Sequence, residues 1–203
     1  MIERFVFFTV LFFEAQCSWG QDVYEGYPAY YETINGVIFK SNSAIPFAGF
    51  RKGAVNWNGH HFPVREAIIF PREIAQNDSL GDHAMSYETP EFGCVEGSSS
   101  SASGTAIRYK SVYLIDLRSP KTAKLYKLPS LFGSCLAVRT DGNGRVLLDA
   151  ADYSYEAASD DPVGVAFREH ELSGRGFSPT GRVVKARFVD PENVWKFAVD
   201  AAN

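Results

Sequence analysis

The chain has 203 residues, of which 45% are hydrophobic, 14% aromatic and 22% charged, with a formal charge of −4 at pH 7. That length suits one domain with a real core, and the apolar fraction excludes a wholly disordered chain. The acidity argues against a broad nucleic-acid groove, which needs a basic surface, so no nucleic-acid partner is expected.

The N-terminus reads as an address. Met1 to Arg4 is short and carries an Arg, Phe5 to Phe13 is an apolar run, and Ser18 and Gly20 supply small residues ahead of Gln21 and Asp22. This is the order of a secretory signal peptide. The apolar run is about half of the ~20 residues that a membrane span needs. We therefore expect a leader over residues 1–20 and a single β domain over 21–203, periplasmic or secreted, with no membrane span once the leader is removed. Cys17 does not sit in a lipid-attachment box, because Glu14 and Gln16 occupy the positions that need an aliphatic and a small residue. Cleavage leaves Cys94 and Cys135 as an even pair. In an oxidising compartment such a pair is expected to form a disulfide. Closing a loop of about 40 residues would contribute roughly 3–4 kcal/mol on the chain-entropy view. No Cys-x-x-Cys spacing suggests redox catalysis.

Residues 22–35 hold four tyrosines, Tyr24, Tyr27, Tyr30 and Tyr31, among Gly, Pro and acidic residues. Gly36 opens a predicted strand from Val37 to Lys40. Lys52 to Trp57 and His60 to Val64 flank Asn58-Gly59, a strong hairpin signal. Ala67 to Phe70 reads as a buried strand, and Pro71 begins a polar stretch with one helical turn. Residues 97–105 form a Ser/Gly-rich flexible loop. Ser111 to Leu117 and Ala123 to Leu128 make a hairpin. Leu136 to Arg139 and Arg145 to Asp149 make another across Asp141-Gly142-Asn143-Gly144. Val163 to Leu172 is a strand, Ser173 to Gly181 a turn region and Arg182 to Val189 a strand. Asp190-Pro191-Glu192-Asn193 fits either a helix start or a type I turn. The alternation of Trp195, Phe197 and Val199 favours a turn followed by a strand. Frequent turns without a long amphipathic helix predict an all-β fold of antiparallel hairpins, in a partial β-propeller-like or sandwich arrangement with little helix. The same pattern argues against a parallel α/β sheet, which needs crossover helices.

Few residues suggest chemistry. His60, His61, His83 and His170 show no metal-ligand spacing. Asp141, Asn143 and Asp152 fall at positions of a calcium loop, but Arg145 and Val146 stand where a ligand and a Gly are needed. There is no Gly-x-Ser-x-Gly elbow, phosphate loop or dinucleotide fingerprint. No catalytic residue, metal or cofactor is assigned, and the protein is read as non-enzymatic. Asp149, Asp152 and Glu169 offer carboxylate pairs, as any acidic β protein does. The four N-terminal tyrosines offer a sugar-stacking platform, which supports an alternative reading as a secreted carbohydrate-binding or carbohydrate-active protein. Two segments are read as partner-binding loops. One is the Ser-rich run with Ser99, Ser100 and Ser101. The other, 149–161, carries Asp152, Tyr153, Tyr155, Glu156, Asp160 and Asp161.

The stretch VYLIDLRSPKTAKLYKL resembles the inner hairpin of a propeller blade, and LAVRTDGNGRVLLD resembles the opening hairpin of the next. Together with the size, leader and Cys pair, this is similar to periplasmic immunity proteins of bacterial type VI secretion systems, some of which have partial-propeller folds. The resemblance implies an exported module whose protein partner is a toxin or other envelope protein. Its loops would occlude a toxin's active site. It transfers no inhibitory residue.

Overall fold

The structure is a computed structural model that describes residues 21–36, 40–41, 53–57, 59–73, 85–97, 103–157 and 160–199. The expected leader, His83, and Ser99, Ser100 and Ser101 lie outside the described residues. In chain order the elements are β1 (Asp22–Glu25), α1 (Tyr27–Asn35), β2 (Lys40–Ser41), β3 (Ala54–Trp57), β4 (His60–Pro63), β5 (Ile68–Ile69), β6 (Met85–Glu88), β7 (Phe92–Gly97), β8 (Ser111–Asp116), β9 (Leu125–Lys127), β10 (Val138–Thr140), β11 (Val146–Tyr155), β12 (Pro162–Ser173), β13 (Gly176–Asp190) and β14 (Asn193–Val199).

The fold is all-β. One six-stranded sheet, in the order β1-β14-β13-β12-β11-β10, is antiparallel throughout and curls into a half-barrel. A second six-stranded sheet runs β2-β6-β7-β8-β9-β5, antiparallel except where β5 pairs parallel to β9. The inner faces share one core. Phe92, Cys94, Val112 and Leu114 from the second sheet meet Val165, Phe167, Ala186 and Phe197 from the half-barrel. Two sheets facing each other across a common core correspond to the sandwich arrangement. The two blade-like hairpins belong to different sheets, with β8 and β9 in one and β10 and β11 in the other.

Helix α1 closes the half-barrel. Gly26 takes φ +98, a left-handed conformation that glycine adopts at little cost, and Pro28 stands in the first turn where its missing N–H is no loss. Tyr27, Tyr30 and Tyr31 fall at i, i+3 and i+4 and are each 1% exposed. Tyr27 stacks on Phe132 at 3.9 Å and Tyr30 on Phe167 at 4.2 Å, and the Tyr27 hydroxyl donates to the Val194 carbonyl at 3.0 Å. Burying each ring contributes about 2 kcal/mol or more. Burial also pushes all three hydroxyls above their ordinary pKa, since a phenolate there would lose its water.

The β3–β4 hairpin forms across Gly59 as expected and covers the outer face of the second sheet. Val55 and Trp57 pack there with Val95, Tyr113 and Ile115. Gly93 makes this approach possible, because a Cβ at that position would lie 2.7 Å from Trp57 Cζ2.

Three expectations are corrected. The turn region Ser173 to Gly181 shrinks to Gly174-Arg175, and β13 already runs from Gly176. Pro179 is accommodated there because the register slips between Arg168 and His170, a bulge where a missing N–H costs little. Residues 135–137 form a 3₁₀ turn, so the strand expected from Leu136 begins at Val138. The 149–161 segment is not a loop up to Tyr155. Strand β11 carries Asp149, Asp152, Tyr153 and Tyr155, and only the connection from Glu156 to Asp161 joins it to β12. The Asp190–Asn193 ambiguity resolves as a turn followed by β14.

Candidate protein-binding surface

Cys94 on β7 and Cys135 ahead of β10 form a disulfide spanning 41 residues of sequence. Beside it, Glu96 is buried at 2% exposure. Its carboxylate accepts from Lys110 Nζ at 2.9 Å, from Ser134 Oγ at 2.8 Å and from the Cys135 N–H at 2.5 Å. A buried charge needs such partners. Here they fix both the disulfide's second half-cystine and Lys110, just past the Ser-rich run.

After that run the described chain resumes at Ser103 and turns through a 3₁₀ segment, Gly104–Arg108. Arg108 Nη1 then donates to the Tyr153 hydroxyl at 2.9 Å. The stretch following the Ser-rich run is thereby held against β11. Tyr153 is half-buried, with its ring 5.6 Å from Phe132, 6.5 Å from Phe188 and 6.4 Å from Tyr155. Tyr155 is 57% exposed, and Glu156, Asp160 and Asp161 beyond it are exposed. Asp152 does not join this group. It is exposed, salt-bridged to Arg168 at 3.3 Å, and alternates with Tyr153 onto the opposite face of the sheet.

The sequence did not single out Ile107, Arg108 or Tyr109, yet Ile107 is 45% and Tyr109 50% exposed. A signal was available, since an aliphatic residue and an aromatic flank a cation directly after a flexible Ser/Gly run. The Asp190–Asn193 segment was read as a helix start or a turn, not as part of a surface. The meander places it at the same end of the half-barrel as the 156–161 connection, so Asp190 and Glu192 extend the acidic rim.

The other constellations have structural roles. Arg139 ties Asp149 and Glu169 together through its two terminal nitrogens and donates to Asn35 Oδ1 at 3.3 Å, linking α1 to the sheet. Glu169 also accepts from Thr180 Oγ1 at 2.8 Å and from Arg182 at 3.2 Å. Burial raises the Asp149 pKa despite the opposing pull of Arg139 and Arg182. Burial acts upward on Glu169 too, but the Thr180 hydrogen bond and the two guanidiniums outweigh it and hold that carboxyl below its ordinary value. Of the three carboxylates that offered pairs, Asp149 and Glu169 are thus engaged by one guanidinium, and Asp152 by Arg168. A cleft of about 80 Å³ opens beside Arg139, lined by Asn35, Glu91, Phe92, Val138 and Thr140 among others.

Three of the four N-terminal tyrosines are core, so they do not form a sugar-stacking platform. Asp141 accepts from the Asn143 and Arg145 N–H groups, each at 2.9 Å, as a hairpin turn requires. His60 and His61 are exposed on β4, and His61 Nδ1 lies 2.8 Å from Asn56 Oδ1. Among the described residues no group of three or more His, Cys, Asp or Glu is placed to hold a metal ion. No helix among them is long and apolar enough to cross a membrane. No family model matches the chain, and no curated protein or solved structure matches it.

Proposed function

We propose that this is an exported, non-enzymatic protein-binding module. More narrowly, it is an immunity protein that inhibits a periplasmic toxin by occluding its active site. One observation carries the reading: the Arg108–Tyr153 hydrogen bond sets the segment after the Ser-rich run beside a strand end that exposes Tyr155 and a row of carboxylates. Tyr is enriched at protein interfaces and supplies contact area, while a rim of carboxylates steers a basic partner. The disulfide supports export, because such bonds persist in oxidising compartments.

The test begins with a pull-down from the envelope extract of the source cell, followed by purification of the partner and assay of its hydrolase activity with and without this protein. Inhibition at 1:1 stoichiometry is the expected result. Tyr109→Ala with Tyr155→Ala should weaken binding by about tenfold or more while leaving the melting temperature unchanged. A captured partner whose activity is untouched sinks the immunity reading, and binding that ignores the double substitution sinks the surface. Glycan-array binding without any protein partner would favour the carbohydrate alternative.

A further inference from the structure

The cleft beside Arg139 has the makings of a small-molecule site. The turn Thr89–Phe92 of the second sheet forms one wall and β10, the edge strand of the half-barrel sheet, the other, around about 80 Å³. The floor is apolar, since Phe92 and Val138 line it and are each 0% exposed. The turn is fixed locally. Thr89 Oγ1 accepts from the Glu91 and Phe92 N–H groups, each at 3.2 Å, and the Thr89 N–H donates to the Phe92 carbonyl at 2.9 Å. Glu91 is thereby held in the wall of the cleft. One of its carboxylate oxygens accepts from Thr140 Oγ1 at 3.3 Å, and the other has no partner among the described residues. On the β10 side, the Asp141 N–H donates to the Arg145 carbonyl at 3.0 Å and closes the ladder with β11. Alternation from that pair turns the N–H and C=O of Thr140 away from β11, to the open edge that lines the cleft. Arg139 brings no spare charge, because Asp149 and Glu169 share it. The uncompensated charge of the cleft is therefore the Glu91 carboxylate, over an apolar floor.

We infer that this cleft binds a primary alkylammonium group on an unbranched stem of about four carbons. The stem lies on Phe92 and Val138, and the ammonium donates to the open Glu91 oxygen and to the Thr140 carbonyl. Size and charge both select this ligand. Space for one water needs about 10–15 Å³, so the cleft takes a chain of about five heavy atoms. A hydrogen bond between an ammonium and a carboxylate is about twice as strong as a neutral one, so an alcohol of the same size is a poorer fit. An anion would meet Glu91 with like charge. A free diamine and a lysine side chain carry the same head and stem, so the shared chemistry defines the site. The cleft stands apart from the protein-binding surface. Strand β10 pairs with the start of β11 at Val146, and Tyr155 ends that strand about 30 Å further on. Ligand binding in the cleft therefore holds or fails independently of the toxin-binding reading.

The test is a titration of isotope-labelled protein with n-butylammonium chloride, followed by NMR. The amide signals of Phe92, Val138 and Thr140 should shift and saturate with a dissociation constant of about 1–10 mM, a range open to so small a ligand. n-Butanol, of the same size, should bind about tenfold more weakly or not at all. Glu91→Gln, with the wild-type circular dichroism spectrum, should weaken n-butylammonium binding about tenfold or more. Two further ligands separate the sources. If a lysine blocked at both backbone ends binds at least as tightly as n-butylammonium, the cleft accepts the side chain of a protein. If the blocked lysine is excluded and putrescine binds, it accepts a free diamine. Both results uphold the site. The absence of a saturating shift at about 50 mM n-butylammonium overturns it. So does butanol binding as tight as that of the amine, or an unchanged affinity in the Glu91→Gln protein.

Discussion

Arg139 joins two strands and the helix through one guanidinium. It holds Asp149 from β11 and Glu169 from β12, which face each other directly in the register, and it reaches Asn35 at the end of α1. The two carboxyls respond to pH in opposite senses. Glu169 takes up a proton less readily in the fold than in the unfolded chain, so its stabilisation is full above its ordinary value of 4.5 and drains away as pH falls below it. Asp149 takes up a proton more readily in the fold, so its contribution weakens as pH rises through its raised pKa. Glu169→Gln should therefore destabilise by about 1–3 kcal/mol at neutral pH. The gap to wild type should shrink as pH drops from about 6 to about 3, measured by urea unfolding at each pH. A gap that widens on acidification would reverse this assignment of sign. None of this was legible in the sequence. Asp149 and Glu169 are 20 residues apart, and Asn35 is more than a hundred from both, so only the register brings them to one guanidinium.

Element by element, local chemistry was readable and long-range compensation was not. The β3–β4 and β10–β11 hairpins were found because Asn-Gly and Asp-Gly turns declare themselves in a few residues. Helix α1 was missed although Tyr27, Tyr30 and Tyr31 have helical spacing, because aromatics bracketed by Gly and Pro read as sheet or loop. Strand β11 was cut short at Asp149 because Asp resists strands. Asp152 is tolerated there only because Arg168, from the strand alongside, meets its charge. The start of β13 was hidden by its Gly, Ser and Pro content, which marks a bulge rather than a turn. Since α1 fills the half-barrel, Tyr30→Ala should cost about 3–5 kcal/mol in stability, and Tyr30→Phe about 1.5 kcal/mol or less. Both are read by denaturant unfolding. A Tyr30→Ala protein of wild-type stability would mean that the helix does not plug the core.

For the whole molecule, the all-β class and the Cys94–Cys135 pair followed from turn frequency and from cysteine arithmetic. The sheet order did not, since pairing partners such as β1 and β14 lie at opposite ends of the described chain. Of the nine candidate partner-binding residues, Ser99, Ser100 and Ser101 fall outside the described residues. Tyr153, Tyr155, Glu156, Asp160 and Asp161 gather at one end of the half-barrel, and Asp152 lies on its outer face.

The disulfide has a consequence in time as well as in space. With the 41-residue span unbridged, about 4 kcal/mol leaves a balance that for a domain of this size is usually about 5–15 kcal/mol. Cys135 would then be free to drift from Glu96, stranding a carboxylate in the interior and loosening Lys110. A chain with both thiols reduced would thus hold its fold weakly. Only oxidation locks β7 of one sheet to the turn that leads into β10 of the other, so the order in which thiols close sets when the fold becomes firm.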